Sequence, residues 1–156
     1  MLVEVKLIEA GIYNFYAVDI NTLQDIPGFP ILIDGHFADN DNARYMSFEV
    51  SCGIRAYIHR YFLGGTVLQR PSLTMINGVV IGAFGGHCDL FNYTGMLVGV
   101  STTPGVGVTS IYAMESSPGA PPVQTDFNVQ EGGKAGIWQG GMGLATDGSR
   151  LFLATG

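Results

Sequence analysis

Charge is scarce in this sequence: Asp, Glu, Lys and Arg make up 13% of its 156 residues, against about 25% in an average globular chain. The seven Lys and Arg are scattered and the net charge is −6. No basic stripe exists to track phosphates, so nucleic acid is not an expected partner. Long apolar runs are missing too. No stretch of about 18 apolar residues occurs, which leaves no candidate membrane-spanning helix and no expected membrane partner. The opening residues, Met1-Leu2-Val3-Glu4-Val5-Lys6-Leu7, carry charges where a signal peptide has its apolar segment. Helical periodicity is poor throughout, and at most residues 54–62 allow a short helical turn. No Walker A, zincin or nucleophile-elbow motif is present. Gly105-Val106-Gly107-Val108 lacks the third Gly and the following helix of a dinucleotide loop.

What is present is apolar and rich in glycine. With 47% hydrophobic residues and 23 Gly, the chain is unlike a disordered tail, which combines low hydrophobicity with high charge. The composition suits strands buried on both faces and joined by Gly-rich turns. Leu73-Thr74-Met75-Ile76 leads through Asn77-Gly78 into Val79-Val80-Ile81, the strongest short-range hairpin signal, because a type I′ turn needs positive φ at both central positions. Gly143-Leu144-Ala145-Thr146 leads through Asp147-Gly148 into Arg150-Leu151-Phe152 in the same way, 70 residues on. A second echo links Tyr13-Asn14-Phe15-Tyr16-Ala17-Val18 to Tyr93-Thr94-Gly95-Met96-Leu97-Val98.

Repeated antiparallel units with Gly turns are the signature of propeller blades. The expected fold is therefore all-β: about two blades of a β-propeller, in four-stranded antiparallel units, forming part of a larger propeller. A 70-residue unit exceeds the usual ~40–50, which places long inserted loops at 34–68 and 116–136. On this reading 1–68 is a partial blade with its long loop, 69–135 a complete blade with a Pro-rich loop, and 136–156 the start of the next. The competing reading is a single β-sandwich.

Few residues suggest chemistry. Gly85-Gly86-His87-Cys88-Asp89 follows a strong strand. His87 and Asp89 there are candidates to face a ligand or to satisfy loop hydrogen bonds; neighbours in sequence rarely ligate one metal, and no metal is expected. Arg70 either holds an anionic group through its planar fork or ties its loop to a carboxylate. Trp138, the only Trp, lies between glycines in Gly136-Ile137-Trp138-Gln139-Gly140, where the indole either meets a flat ligand or caps the core. Gln139 belongs to the same candidate group. Cys52 and Cys88 form a disulfide or remain buried thiols, and Asn92-Tyr93-Thr94 is a glycosylation sequon with Asn92 as acceptor in a secreted chain. No catalytic set is complete.

The stretch 68–156 resembles the quinoprotein alcohol dehydrogenase-like propellers, in particular fungal and bacterial proteins with pyrroloquinoline-quinone-like repeats. The similar residues are Leu68-Gln69-Arg70-Pro71, Asn77-Gly78-Val79-Val80, Ala83-Phe84-Gly85 with His87 and Asp89, Tyr93 and Gly95, Gly136-Ile137-Trp138-Gln139, and Thr155-Gly156. The resemblance implies a propeller fold with the parent's remaining blades as neighbours, and the two cysteines with the Asn92 sequon point to an extracellular parent protein. Cys88 has no cysteine neighbour and no calcium-ligand set can be mapped, so no cofactor is expected for this chain itself. Two functional expectations follow. One is a non-catalytic propeller module presenting its loops to a glycan or a protein, with self-association through edge strands. The other is part of an extracellular quinoprotein-like oxidoreductase acting on alcohols or sugars with pyrroloquinoline quinone (PQQ) and calcium.

Overall fold

The computed structural model describes residues 2–8, 11–40, 44–49, 55–59, 62–87, 93–114 and 135–156. Strands β1 (Leu2–Ile8), β2 (Ile12–Val18) and β3 (Ile31–Leu32) form a sheet in chain order. A hairpin follows, of β4 (Arg44–Glu49) and β5 (Arg55–His59). After a 3₁₀ turn at Gly64–Thr66 comes the central sheet. It is built from β6 (Val67–Gln69), β7 (Thr74–Ile76), β8 (Val79–Gly86), β9 (Met96–Ser101) and β10 (Val108–Ala113), in the order β10-β9-β8-β6 with β7 also on β8. A last hairpin joins β11 (Ala145–Thr146) to β12 (Leu151–Phe152). The pairings are antiparallel throughout the described residues. The chain is an all-β protein of several small antiparallel sheets.

Within the stretch that at most allowed a short helical turn, Arg55–His59 is a strand instead, β5, paired with β4. A helix of two turns is marginal in water without packing, whereas Tyr57 and Ile58 suit a pleated strand.

β8 is the spine of the central sheet. Its first half pairs with β7 (Ile76↔Val79) and its second with β6 (Val67↔Gly86), so β6 and β7 are two pieces of one edge interrupted at 70–73. The β7–β8 turn has two residues, Asn77 at φ 49° and Gly78 at φ 76°, as a type I′ turn demands. The β11–β12 turn differs. Thr146 pairs with Leu151, leaving a four-residue loop at 147–150. Asp147 closes it by accepting the N–H groups of Ser149 (3.0 Å) and Arg150 (2.8 Å), and the Arg150 Nε–H (2.9 Å).

Side-chain alternation buries both faces of the central sheet. Val80, Phe84, Met96, Val98, Val100, Ile111 and Ala113 face Tyr13, Phe15, Ile33 and Phe62 in the larger core. The Phe62 and Phe84 rings meet edge-on at 4.7 Å, and Tyr13 meets Phe84 at 5.4 Å. On the opposite face Ile81 and Ala83 pack with Ile137 and Leu144, rimmed by Leu97, Leu151 and Leu153. Double burial explains the nearly unbroken apolar run Val79-Val80-Ile81-Gly82-Ala83-Phe84. Three layers result, in chain order: the β1–β3 sheet, the central sheet and the C-terminal segment.

Candidate functional site

The segment 33–40 leaves β3 and reaches the far edge of the central sheet. Its start is pinned by Asp34, whose carboxylate accepts the N–H of Tyr13 (2.7 Å) on β2 and the N–H of Gly64 (2.6 Å) in the 3₁₀ turn. Its end is fastened to β10. The Asp39 N–H donates to Ile111 O and Asp39 Oδ2 accepts the Ile111 N–H, both at 2.7 Å. The Asn40 amide does the same for Ala113, donating from Nδ2 to its carbonyl and accepting its N–H at Oδ1, both at 3.0 Å. A carboxamide carries one acceptor and two donors, so it substitutes for the peptide group of a missing neighbouring strand. An edge strand left bare is a template for unwanted pairing; here Ile111 and Ala113 are already satisfied.

A β-bulge lies just before these fastenings. The register slips between Val108 and Ser110, leaving Thr109 as the extra residue, with its hydroxyl donating to Gly99 O at 3.1 Å. Bulges bend an edge strand and re-aim its side chains. In the angle between the bulge and the segment 33–40 is a cavity of about 200 Å³, its lining shared between the polar His36, Asp39, Thr109 and Ser110 and the apolar Val108 and Ile111. The Phe37 side chain is 49% exposed at its mouth. His36 Nδ1–H donates to Ile33 O at 2.9 Å, since a carbonyl only accepts. The long-loop reading singled out 34–68 but none of these residues. Their common location depends on contacts more than 70 positions apart in the chain.

The residues expected from sequence lie elsewhere, around the β6 side of β8. Trp138 is half-buried with its indole against the backbone of Gly85: a Cβ there would stand 2.9 Å from two ring carbons. Gly86, on the other side of the strand, makes room for the Tyr93 ring. Close approach is what these two glycines permit. Arg70 is exposed, and its carbonyl accepts the Gly141 N–H at 3.2 Å. Gln139 is half-buried, and its Oε1 is enclosed with no hydrogen-bond partner among the described residues. His87 is exposed, and its backbone N–H donates to Thr66 O at 3.2 Å. The backbone thus brings Arg70 near Gln139 and Trp138, through the loop that carries Gly141. Cys52, Cys88, Asp89 and Asn92 lie outside the described residues.

Among the described residues no three His, Cys, Asp or Glu side chains are grouped to hold a metal ion. Three acid–base effects are structural, and in one of them the backbone N–H groups of Asn21 and Thr22 hold the Asp19 carboxyl below its usual range. Backbone N–H groups of Ser149 and Arg150 draw the Asp147 carboxyl down to about 2, and burial pushes the Tyr13 phenol above its usual range. No protein-family model, no curated protein and no solved structure matches this chain.

Proposed function

We propose that the chain is part of a β-propeller-type binding module, which holds its ligand in a loop-and-edge pocket and performs no chemistry of its own. The observation behind this reading is the order of the layers. Consecutive stretches of chain stack face to face, and β7-β8-β9-β10 is a four-stranded antiparallel meander with packed side chains on both faces. A two-sheet sandwich buries one face of each sheet and leaves the other to solvent; burial on both faces is what a blade between two neighbours requires. The remaining blades of a parent propeller are the natural neighbours of the outer layers.

Binding is favoured over catalysis by the character of the site. Its acid–base groups are tied to the scaffold, Asp39 to Ile111 and His36 to Ile33. Among the described residues neither is hydrogen-bonded to a nucleophile, as an activated site requires. The full chain should therefore show saturable binding on a panel of soluble carbohydrates and peptides, and no turnover. Substrate turnover with no saturable binding to the panel contradicts the reading.

A further inference from the structure

Beyond the binding-module reading and independent of it, we propose that strand β1 is the docking edge for a second copy of this chain. Two molecules join through an antiparallel β1–β1 pair across a two-fold axis, the self-complementary contact of a homodimer. β1 is the outer strand of its sheet, in the order β1-β2-β3, and among the described residues no strand pairs with its other edge. With seven residues it is also the longest edge strand among them. The edges of the central sheet are covered or broken. Asp39 and Asn40 close β10. The β6–β7 edge is interrupted at 70–73, where the C-terminal segment sits on it through Ser72 N–H to Met142 O and Gly141 N–H to Arg70 O.

The direction of the backbone groups decides what β1 offers. Tyr13 and Ala17 on β2 turn their carbonyls away from β1, to the N–H groups of Ile33 (3.1 Å) and Ile26 (2.8 Å). Successive residues of a strand point these groups to opposite edges, so Asn14 and Tyr16 serve β1. Their register partners are Lys6 and Glu4, whose N–H and C=O are therefore used inside the sheet. Val3, Val5 and Leu7 present theirs to the open edge. An added strand must match these three residues.

Sequence then selects the register. In a pair of identical antiparallel strands centred on Val5, Val5 meets Val5 and Val3 meets Leu7, so every outward N–H and C=O finds a partner over the whole of Leu2–Ile8. The same register sets Glu4 of each copy opposite Lys6 of the other, at the positions without ladder bonds, where Cα atoms approach to about 4.5 Å. Opposite charges so placed stabilise a strand pair and like charges destabilise it. Moving the centre to Glu4 puts Glu4 on Glu4, and moving it to Lys6 puts Lys6 on Lys6. Centres between residues set outward-facing groups against inward-facing ones and exchange the two faces. Charge on an edge strand ordinarily prevents pairing; one Glu and one Lys placed symmetrically about Val5 admit one full-length register instead. The contact uses an edge, so it does not compete with neighbours packed on the faces of the layers.

The test is sedimentation equilibrium on the full chain, repeated on Glu4→Lys, on Lys6→Glu and on the variant carrying both, with amide spectra to verify each fold. The expected result is a monomer–dimer equilibrium whose dissociation constant rises about tenfold or more in each single variant, where like charges face each other twice. The double variant restores opposite charges at both places and should regain the original affinity. In a sample mixing isotope-labelled and unlabelled chains, the α-protons of Glu4 and Lys6 from different molecules should give a cross-peak. A chain that stays monomeric with its native fold overturns the proposal. Dimers indifferent to the single exchanges, or lost in the single variants and not rescued by the double one, overturn it as well. The mixed-label cross-peak is read on the unmodified chain, so a dimer that lacks it overturns the β1 assignment even where a variant fails to fold. Binding to the carbohydrate and peptide panel is read separately, and loss of the dimer leaves the binding-module reading standing.

Discussion

The two faces of the central sheet are made by the same strands, yet they are held in different ways. The face toward β1–β3 is a continuous aromatic core, with Phe15, Phe62 and Phe84 fully buried and their neighbours interlocked. The face toward the C-terminal segment has small aliphatic contacts, Ala83 and Ile81 against Ile137 and Leu144. There the backbone carries more of the attachment: Gly141 N–H to Arg70 O, Ser72 N–H to Met142 O and Ile137 N–H to Phe84 O, at 3.2–3.3 Å. Trp138 on Gly85 completes it. Burial scales with area removed from water, while a hydrogen bond adds only about 0.5–1.5 kcal/mol net. The first face therefore sets global stability and the second is the one that opens locally.

The sharpest way to break this contrast is at its strong side. Phe84→Ala removes a fully buried ring shared by Tyr13 and Phe62, and should cost about 3–5 kcal/mol, read as a lowered urea midpoint. On the weaker face Gly85→Ala places a methyl within 2.9–3.0 Å of the indole. Overpacking of this kind costs about 1–3 kcal/mol, and Trp138 emission should shift to the red because the ring is pushed into water. The urea midpoint should move less than for Phe84→Ala. A larger effect at Gly85 would reverse the ranking of the two faces.

At the edge, Asn40→Ala deletes both fastenings of Ala113. A loss of about 1–2 kcal/mol is expected, with faster amide exchange at Ala113 in hydrogen-exchange NMR and a new tendency to associate through β10. The smallest effect concerns the last hairpin. The Asp147 pKa is lowered in the folded chain to about 2, so its contribution is present above the ordinary aspartate value of about 4 and is lost as pH falls through 2. Titration between these limits should disturb the amide signals of Ser149 and Arg150 before those of the central sheet.

Sequence patterns made the strands legible, though not what lies between them. Asn77-Gly78 announced its turn because two positive φ values leave few other residues eligible. Asp147-Gly148 announced a hairpin and concealed its length, since the Asp147 side chain supports two extra loop residues. Arg55–His59 was left open to a helical turn because a five-residue strand is too short to display its period against a helical alternative. Trp138 between glycines signalled a close approach, but its partner Gly85 lies more than 50 residues away. The pocket was illegible for the same reason on a larger scale. Asp39 and Asn40 read as ordinary loop residues until β10 folds back 72 positions later and supplies the backbone that they complete.

Double burial of the central sheet is the claim on which the layered account rests, and nuclear Overhauser contacts from two glycines of β8 measure it directly. Gly82 lies under the Phe15 ring and Gly85 under the Trp138 indole, on opposite faces of one strand. The account predicts that, in one sample, the Gly82 α-protons show cross-peaks to Phe15 and the Gly85 α-protons show cross-peaks to Trp138. Cross-peaks at Gly82 alone, with the indole mobile in solvent, would make the protein a two-layer sandwich and contradict the account.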